Sequence, residues 1–248
     1  MSGRSTVRDV PDESTPQKDP QRSSPEPSGE AKKRSRSFLR ELPILIGVAL
    51  VLSLLIKTFL VQAFFIPSES MERTLHGCPG CTGDRILVEK VGYRLHDPRP
   101  GDIVVFRAPP SWEPETQLAA PTNPVRRVVN WVGGAFGVPQ ANEKDLVKRV
   151  IAVGGQTVRC CDAQGRVLVD GHPLDEPYIF ENDHRPFGPI KVPPGRLWVM
   201  GDHRADSADS RFHLQDGNNG TIPVDNVIGR AFVIMWPPSR WNTLGKGG

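Results

Sequence analysis

Little in this sequence points to a metalloenzyme or a helical bundle. Its six histidines are scattered and suggest no metal site. No internal repeat occurs. Neither a Gly-x-Ser-x-Gly elbow nor a Ser-x-x-Lys motif paired with Lys-Thr-Gly is present, which removes two common settings for a nucleophilic serine. No helical domain suited to DNA is evident, and a net charge of +3 names no nucleic-acid partner. Long apolar runs are absent but for one, between Leu42 and Phe65. Proline and glycine, by contrast, are abundant, at 25 and 24 residues. With 38% apolar and 24% charged side chains, the 248 residues can pack a core. The turn-formers favour a loop-rich, mainly β protein over a helical bundle.

Residues 1–38 are rich in Ser, Pro, Glu and Arg and hold almost no large apolar side chain. Such a stretch buries too little surface to offset its ordering entropy, so it is expected to be a disordered tail. The apolar run follows. Its 24 residues from Leu42 to Phe65 are interrupted only by Pro43, Gly47, Ser53, Lys57, Thr58 and Gln62. As a helix they would reach about 36 Å, more than a bilayer core of roughly 30 Å. Residues 39–63 are therefore expected to be a transmembrane anchor. A cleaved signal peptide and a buried core helix are the rival readings. The first has a shorter apolar core and a small-x-small site. The second needs fewer residues. Lys32, Lys33, Arg34, Arg36 and Arg40 precede the run, which keeps the N-terminus cytoplasmic and places the remainder outside the cytoplasm.

From residue 64 onward the pattern is β. Asp84–Lys90, Gly101–Phe106, Val147–Val153, Leu197–Met200 and Ala231–Trp236 are short β-rich runs bounded by turn-formers. Residues 157–170 read as a hairpin turning at Ala163–Gly165, and 171–195 as a loop or small lobe. The stretch at about 108–143 is Pro- and Ala-rich and reads as an insertion. Within it Val125, Val128, Val129, Trp131 and Val132 suggest a short helix packing on its own domain, or a lip touching the membrane. Residues 241–248 read as a tail.

Four stretches bear chemistry: Pro67-Ser-Glu-Ser-Met71, Gly83-Asp-Arg-Ile-Leu-Val88, Lys148-Arg149 ahead of Gly154-Gly155, and Gly201-Asp-His-Arg-Ala-Asp-Ser-Ala-Asp-Ser-Arg211. In this order, behind an N-terminal span, the chain resembles the bacterial type I signal peptidases, membrane-anchored serine proteases with a Ser–Lys dyad. The resemblance implies a mainly β, barrel- or sandwich-like domain over residues 64–240, with one transmembrane helix and a small β lobe at about 157–195. It implies Ser70 as nucleophile and Lys148 as general base. It implies Ser68, with the Ser70 N–H, as the oxyanion donor, and Ser207 as the group orienting the lysine. Asp209 would brace the site with Arg149 and Arg211. Phe64, Ile66, Pro67, Leu75 and Val147 are the implied pocket walls, with core packing as their alternative. The implied substrates are exported preproteins cut after a small-x-small sequence, and the implied surroundings are the lipid bilayer. No cofactor and no nucleic acid are implied.

The residues agree with these roles. A serine hydroxyl is a weak nucleophile until a base takes its proton. A lysine takes a proton only when neutral, and a free ammonium of pKa about 10.4 is neutral in about one molecule in a few thousand at pH 7. Val147, Val150 and Ile151 are suited to build the desolvating wall the chemistry requires. His203 is the alternative base, in a Ser-His-Asp arrangement. Glu69 departs from the glycine often found between the two serines of the family. A tethered β module that only binds, and a self-cleaving Ser–Lys protease of related fold, are the competing functions.

Cys78 and Cys81 form a Cys-Pro-Gly-Cys motif, and Cys160 and Cys161 are adjacent. An extracytoplasmic domain permits disulfides, and three connectivities remain open. Zinc at His76, Cys78 and Cys81 is the alternative. It lacks the usual second Cys-x-x-Cys or Cys/His arm.

Overall fold

The computed structural model describes residues 31–112 and 144–245, with side chains omitted at 31–40, 57–59 and 94–95. Residues 1–30 of the tail expected over 1–38, residues 113–143 of the insertion with its valines, and residues 246–248 lie outside the described residues, while residues 31–38, expected to be disordered, are helical. The chain divides into two compact units, Met1–Val48 and Ala49–Gly248.

Helix α1 covers Ala31–Phe59. It does not take in the whole apolar run. After Leu60 the chain becomes strand β1, Val61–Phe65. The helical part from Leu42 to Phe59 reaches about 27 Å, not 36 Å. The last residues of the run leave the helix because they have a β partner and a core to enter. Phe64 and the following Ile66 are buried, and β1 pairs antiparallel with β2 (Arg85–Glu89) along its full length. From Leu42 to Ile56 the large apolar side chains of α1 are exposed. Among the described residues no helix is long and apolar enough to cross a membrane.

The remainder is mainly β. After the short helix α2 (Gly92–Leu95) come β3 (Ile103–Arg107), β4 (Asp145–Val153), β5 (Thr157–Cys160), β6 (Val167–Val169), β7 (His172–Pro173) and β8 (Phe187–Lys191). Then follow β9 (Arg196–Met200), β10 (Ile222–Pro223), β11 (Val227–Trp236) and β12 (Asn242–Thr243). The large sheet has eight strands in the order β1-β2-β11-β3-β4-β9-β10, with β12 added on β11. A separate four-stranded sheet, β7-β6-β5-β8, is the small lobe expected at about 157–195. Strand β8 falls in the stretch read as a loop or small lobe. β12 pairs with β11 where a tail was expected.

Three apolar clusters hold these elements. One gathers Phe64, Ile66, Met71, Leu75, Ile86, Val88 and Ile103. A second joins Ile151 and Ala152 to the small lobe through Val158, Phe187 and Trp198. The third contains Val104, Phe106, Leu146, Val150 and Val199. Strand β4 feeds all three, since Val147 packs on the first. Burying Met71 and Leu75 fully contributes about 1.5–3 kcal/mol each, and pins both ends of the turn that starts at Ser70.

Candidate active site

The loop after β1 carries the serines. Its entry is fixed where the Ile66 N–H donates to the Asp84 carbonyl at 2.9 Å. Its turn is closed where Glu72 N–H donates to the Glu69 carbonyl at 2.9 Å and Leu75 N–H to the Met71 carbonyl at 2.8 Å. Glycine is required beside it at two places. A Cβ at Gly77 would lie 2.5 Å from the Ile66 carbonyl oxygen, and one at Gly83 would collide with the same atom. On the opposite side Gly201 lets the Ser70 carbonyl and the Ser207 hydroxyl approach its backbone, where a Cβ would collide with both.

Strand β4 brings the amine. It ladders with β3 over Asp145–Arg149 and with β9 over Arg149–Val153. Successive side chains of a strand point to opposite faces, so Lys148 and Arg149 part company. Lys148 is fully buried, and its Nζ lies 2.7 Å from Ser70 Oγ. Ser70 is itself buried, and the Ser68 hydroxyl lies 3.2 Å from Ser70 Oγ. The structure thus brings Ser68 and Ser70 to Lys148, which lies 78 positions beyond Ser70.

Ser207 and Asp209 complete this side. The Ser207 hydroxyl donates to Asp209 Oδ2 at 2.9 Å, and so does the Gly201 N–H. Arg211 holds the same carboxylate in a two-pronged pair, Nε to Oδ1 and Nη2 to Oδ2, both 2.8 Å. Neither side chain sees solvent to any extent. Burial pushes the Asp209 carboxyl up, but the Arg211 bonds and charge and the Gly201 N–H outweigh it and hold the group below the usual carboxylate range. A group depressed in the folded state contributes stability above its unfolded pKa, about 3.9, and that stability fades as pH falls through the lower folded value. Acid unfolding monitored by fluorescence is therefore expected to steepen below about pH 4, and Asp209→Asn to flatten that limb. An unchanged limb would assign the acid sensitivity elsewhere.

Arg149 does not brace Asp209. On the other face of β4 it pairs with Asp202, Nε to Oδ1 at 2.8 Å and Nη2 to Oδ2 at 2.6 Å. Its guanidinium also lies over the Tyr178 ring at 3.8 Å. Thr74 donates its hydroxyl to Asp202 Oδ2 at 2.5 Å, so this pair ties β4 to the serine loop. Strand alternation separates Arg149 from the acid that Arg211 holds. Asp202 was missed from the sequence, although alternation at Lys148-Arg149 was a signal that two acids were needed.

His203 is not placed as a base toward Ser70 Oγ. Its Nδ1 lies 3.3 Å from the Glu69 carbonyl and its Nε2 3.4 Å from Glu181 Oε2, while its backbone N–H donates to the Ser70 carbonyl at 3.2 Å. It holds the serine loop from behind. Of the expected pocket walls, Phe64, Ile66 and Leu75 are buried in the first apolar cluster, and Val147 packs on its edge. Pro67 is half-buried at the head of the loop.

A buried hydroxyl and amine in contact, a neighbouring hydroxyl donor and a carboxylate–arginine brace are what a lysine-assisted serine hydrolase needs. Comparison with known proteins agrees in class. The family profile described as signal peptidase, peptidase S26, matches residues 39–236. A probable signal peptidase I of Mycobacterium leprae is 46% identical over 241 residues, covering 88% of this chain and 83% of the relative. A signal peptidase I of Mycobacterium tuberculosis is 48% identical over 234 residues, 87% of this chain and 78% of the relative. A crystal structure of a signal peptidase I from Enterococcus faecalis is 22% identical, covers 54% of this chain and 97% of its own, and has a TM-score of 0.34. The chain belongs to the signal peptidase family, peptidase S26, and is a hydrolase of that family.

Proposed function

We propose that this protein is a membrane-bound endopeptidase that removes signal peptides from exported preproteins by cutting after a small-x-small sequence. The observation that carries the reading is the 2.7 Å separation of Lys148 Nζ and Ser70 Oγ in a buried setting. Ser70 Oγ attacks the scissile carbonyl carbon while its proton passes to neutral Lys148. The oxyanion that forms is met by the Ser70 N–H and the Ser68 hydroxyl, two donors aimed from one loop. As the peptide C–N bond breaks, the Lys148 ammonium returns the proton to the leaving amine. Water then attacks the Ser70 ester, with Lys148 again as base, and releases the signal peptide with a free carboxylate.

Ser207, braced by Asp209 and Arg211, orients Lys148. The substrate lies extended along β1, which ends the large sheet, because an edge strand offers backbone groups for β-augmentation. Pro67 and Val147, both half-buried, offer apolar walls that suit small side chains, with Phe64, Ile66 and Leu75 packed in the core beneath them.

The anchor rests on the sequence. The apolar run behind five basic residues supports a single span with a cytoplasmic N-terminus, and holds the dyad near membrane-bound substrates, which raises effective concentration. Purified full-length protein in detergent is expected to cleave a preprotein at one small-x-small site, read by mass spectrometry of both products. Absence of cleavage, or cutting indifferent to residues at the small positions, would overturn the assignment.

A further inference from the structure

One motif has no part in this reaction: the Cys-Pro-Gly-Cys loop that follows the serine loop. Cys78 and Cys81 are joined there as a disulfide, and Cys160 and Cys161 as another. Beside the first stands His76. Its Nδ1 lies 2.5 Å from Glu72 Oε1. An ionised carboxylate only accepts, so Nδ1 is the nitrogen that donates to Glu72, and Nε2 is the one left to a ligand. That nitrogen faces Cys81 Sγ at 3.8 Å. One ligand atom from each of His76, Cys78 and Cys81 lies within 4.8 Å of the others. A tetrahedral zinc ion with Zn–S near 2.3 Å and Zn–N near 2.0–2.1 Å separates its nitrogen and sulfur ligands by about 3.5 Å.

The loop is held by bonds that do not involve sulfur. His76 N–H donates to Asp84 Oδ2 at 2.8 Å, and Asp84 N–H returns a bond to the His76 carbonyl at 2.7 Å. Arg240 fixes the buried Asp84 carboxylate, Nε to Oδ1, at 2.9 Å. Gly77 N–H donates to Glu72 Oε1 at 3.3 Å. Opening the disulfide therefore frees two thiols without releasing His76. A histidine whose second nitrogen is held by a carboxylate is the usual arrangement around protein-bound metals.

We propose that the dithiol form of this loop is a site for a zinc-class divalent ion, held by His76 Nε2, Cys78 Sγ and Cys81 Sγ, with Glu72 orienting the imidazole. Two molecules of a thiol reductant supply two electrons and two protons to the disulfide and leave as their own disulfide. The ion then displaces the two thiol protons and binds two thiolates and one neutral imidazole, with water in the fourth position. Disulfide and metal exclude each other, so occupancy follows the thiol state. Gly77, between His76 and Cys78, packs against the Ile66 and Ser68 carbonyls at the start of the serine loop.

The test uses full-length Cys160→Ser/Cys161→Ser protein in detergent, reduced with dithiothreitol, desalted without oxygen and titrated with Co²⁺. Thiolate-to-cobalt charge-transfer absorption is expected to saturate at one equivalent and to be displaced by Zn²⁺. The unreduced protein should show none. Glu72→Gln is expected to weaken binding about 10- to 100-fold, and His76→Ala at least as much. X-ray absorption of the same zinc-loaded protein should give two sulfur ligands and one imidazole, a reading that needs no change at His76 or Glu72. Absence of the band in reduced protein, binding indifferent to His76→Ala, or a sulfur-free zinc shell would each overturn the proposal. None of these readouts depends on peptidase activity.

Discussion

A Lys148→Met protein is expected to lose cleavage by a factor of at least about 10³–10⁴ while keeping its fold. The amine is fully buried and in contact with Ser70 Oγ, so no solvent group stands ready to replace it as base. Methionine fills nearly the same volume without the charge. Exchanging a buried ionisable group for a well-packed apolar one is often neutral or stabilising, so the melting temperature should hold or rise. Ser70→Ala should match the loss, and the double variant should be no worse than either alone, because the two residues act as one unit. Single-turnover cleavage with thermal unfolding on the same samples decides the matter. Substantial turnover in Lys148→Met would remove lysine as the base.

The second large effect falls on stability. Asp209→Ala is expected to lower unfolding free energy by about 3–5 kcal/mol, measured from the denaturant midpoint. The substitution removes the two-pronged partner of the buried Arg211 guanidinium, leaving it a single carboxylate contact, to Asp183, and removes the acceptor of the Gly201 N–H and the Ser207 hydroxyl. Pairs in water behave otherwise. Asp162 and Arg166 form a partly exposed i,i+4 bridge on the small lobe, and Asp162→Ala should cost clearly less than Asp209→Ala. Similar losses at the two positions would mean that Asp209 is not the buried keystone its bonds suggest. Because Asp209 transfers no proton, whatever protein remains folded in Asp209→Asn should retain more activity than Lys148→Met.

The β character of the chain and most of its strands were legible because the β-branched runs are bounded by Gly and Pro. Ser68, Ser70 and Lys148 were legible through motif order, and the structure brings them together. What failed did so for local reasons. Val61–Phe65 is as apolar as the helix before it, and hydropathy alone does not tell a strand from a helix once both are apolar. Only pairing with β2 and burial of Phe64 decide it. The family resemblance implies Asp209 as a partner of both Arg149 and Arg211. The strand's alternation sends Arg149 to Asp202. Short β8 carries two residues, Gly188 and Pro189, that read as loop, and takes its register from β5.

The division of labour along β4 restricts how this gene can drift. A one-residue deletion just ahead of Lys148 would swap the two neighbours across the sheet and present Arg149 to Ser70. A guanidinium keeps its proton at any physiological pH, so such a protein could still assemble its strands and yet be chemically mute. Length changes upstream should therefore accumulate outside the ladder, in the connection between β3 and β4, where they leave the parity of the strand untouched.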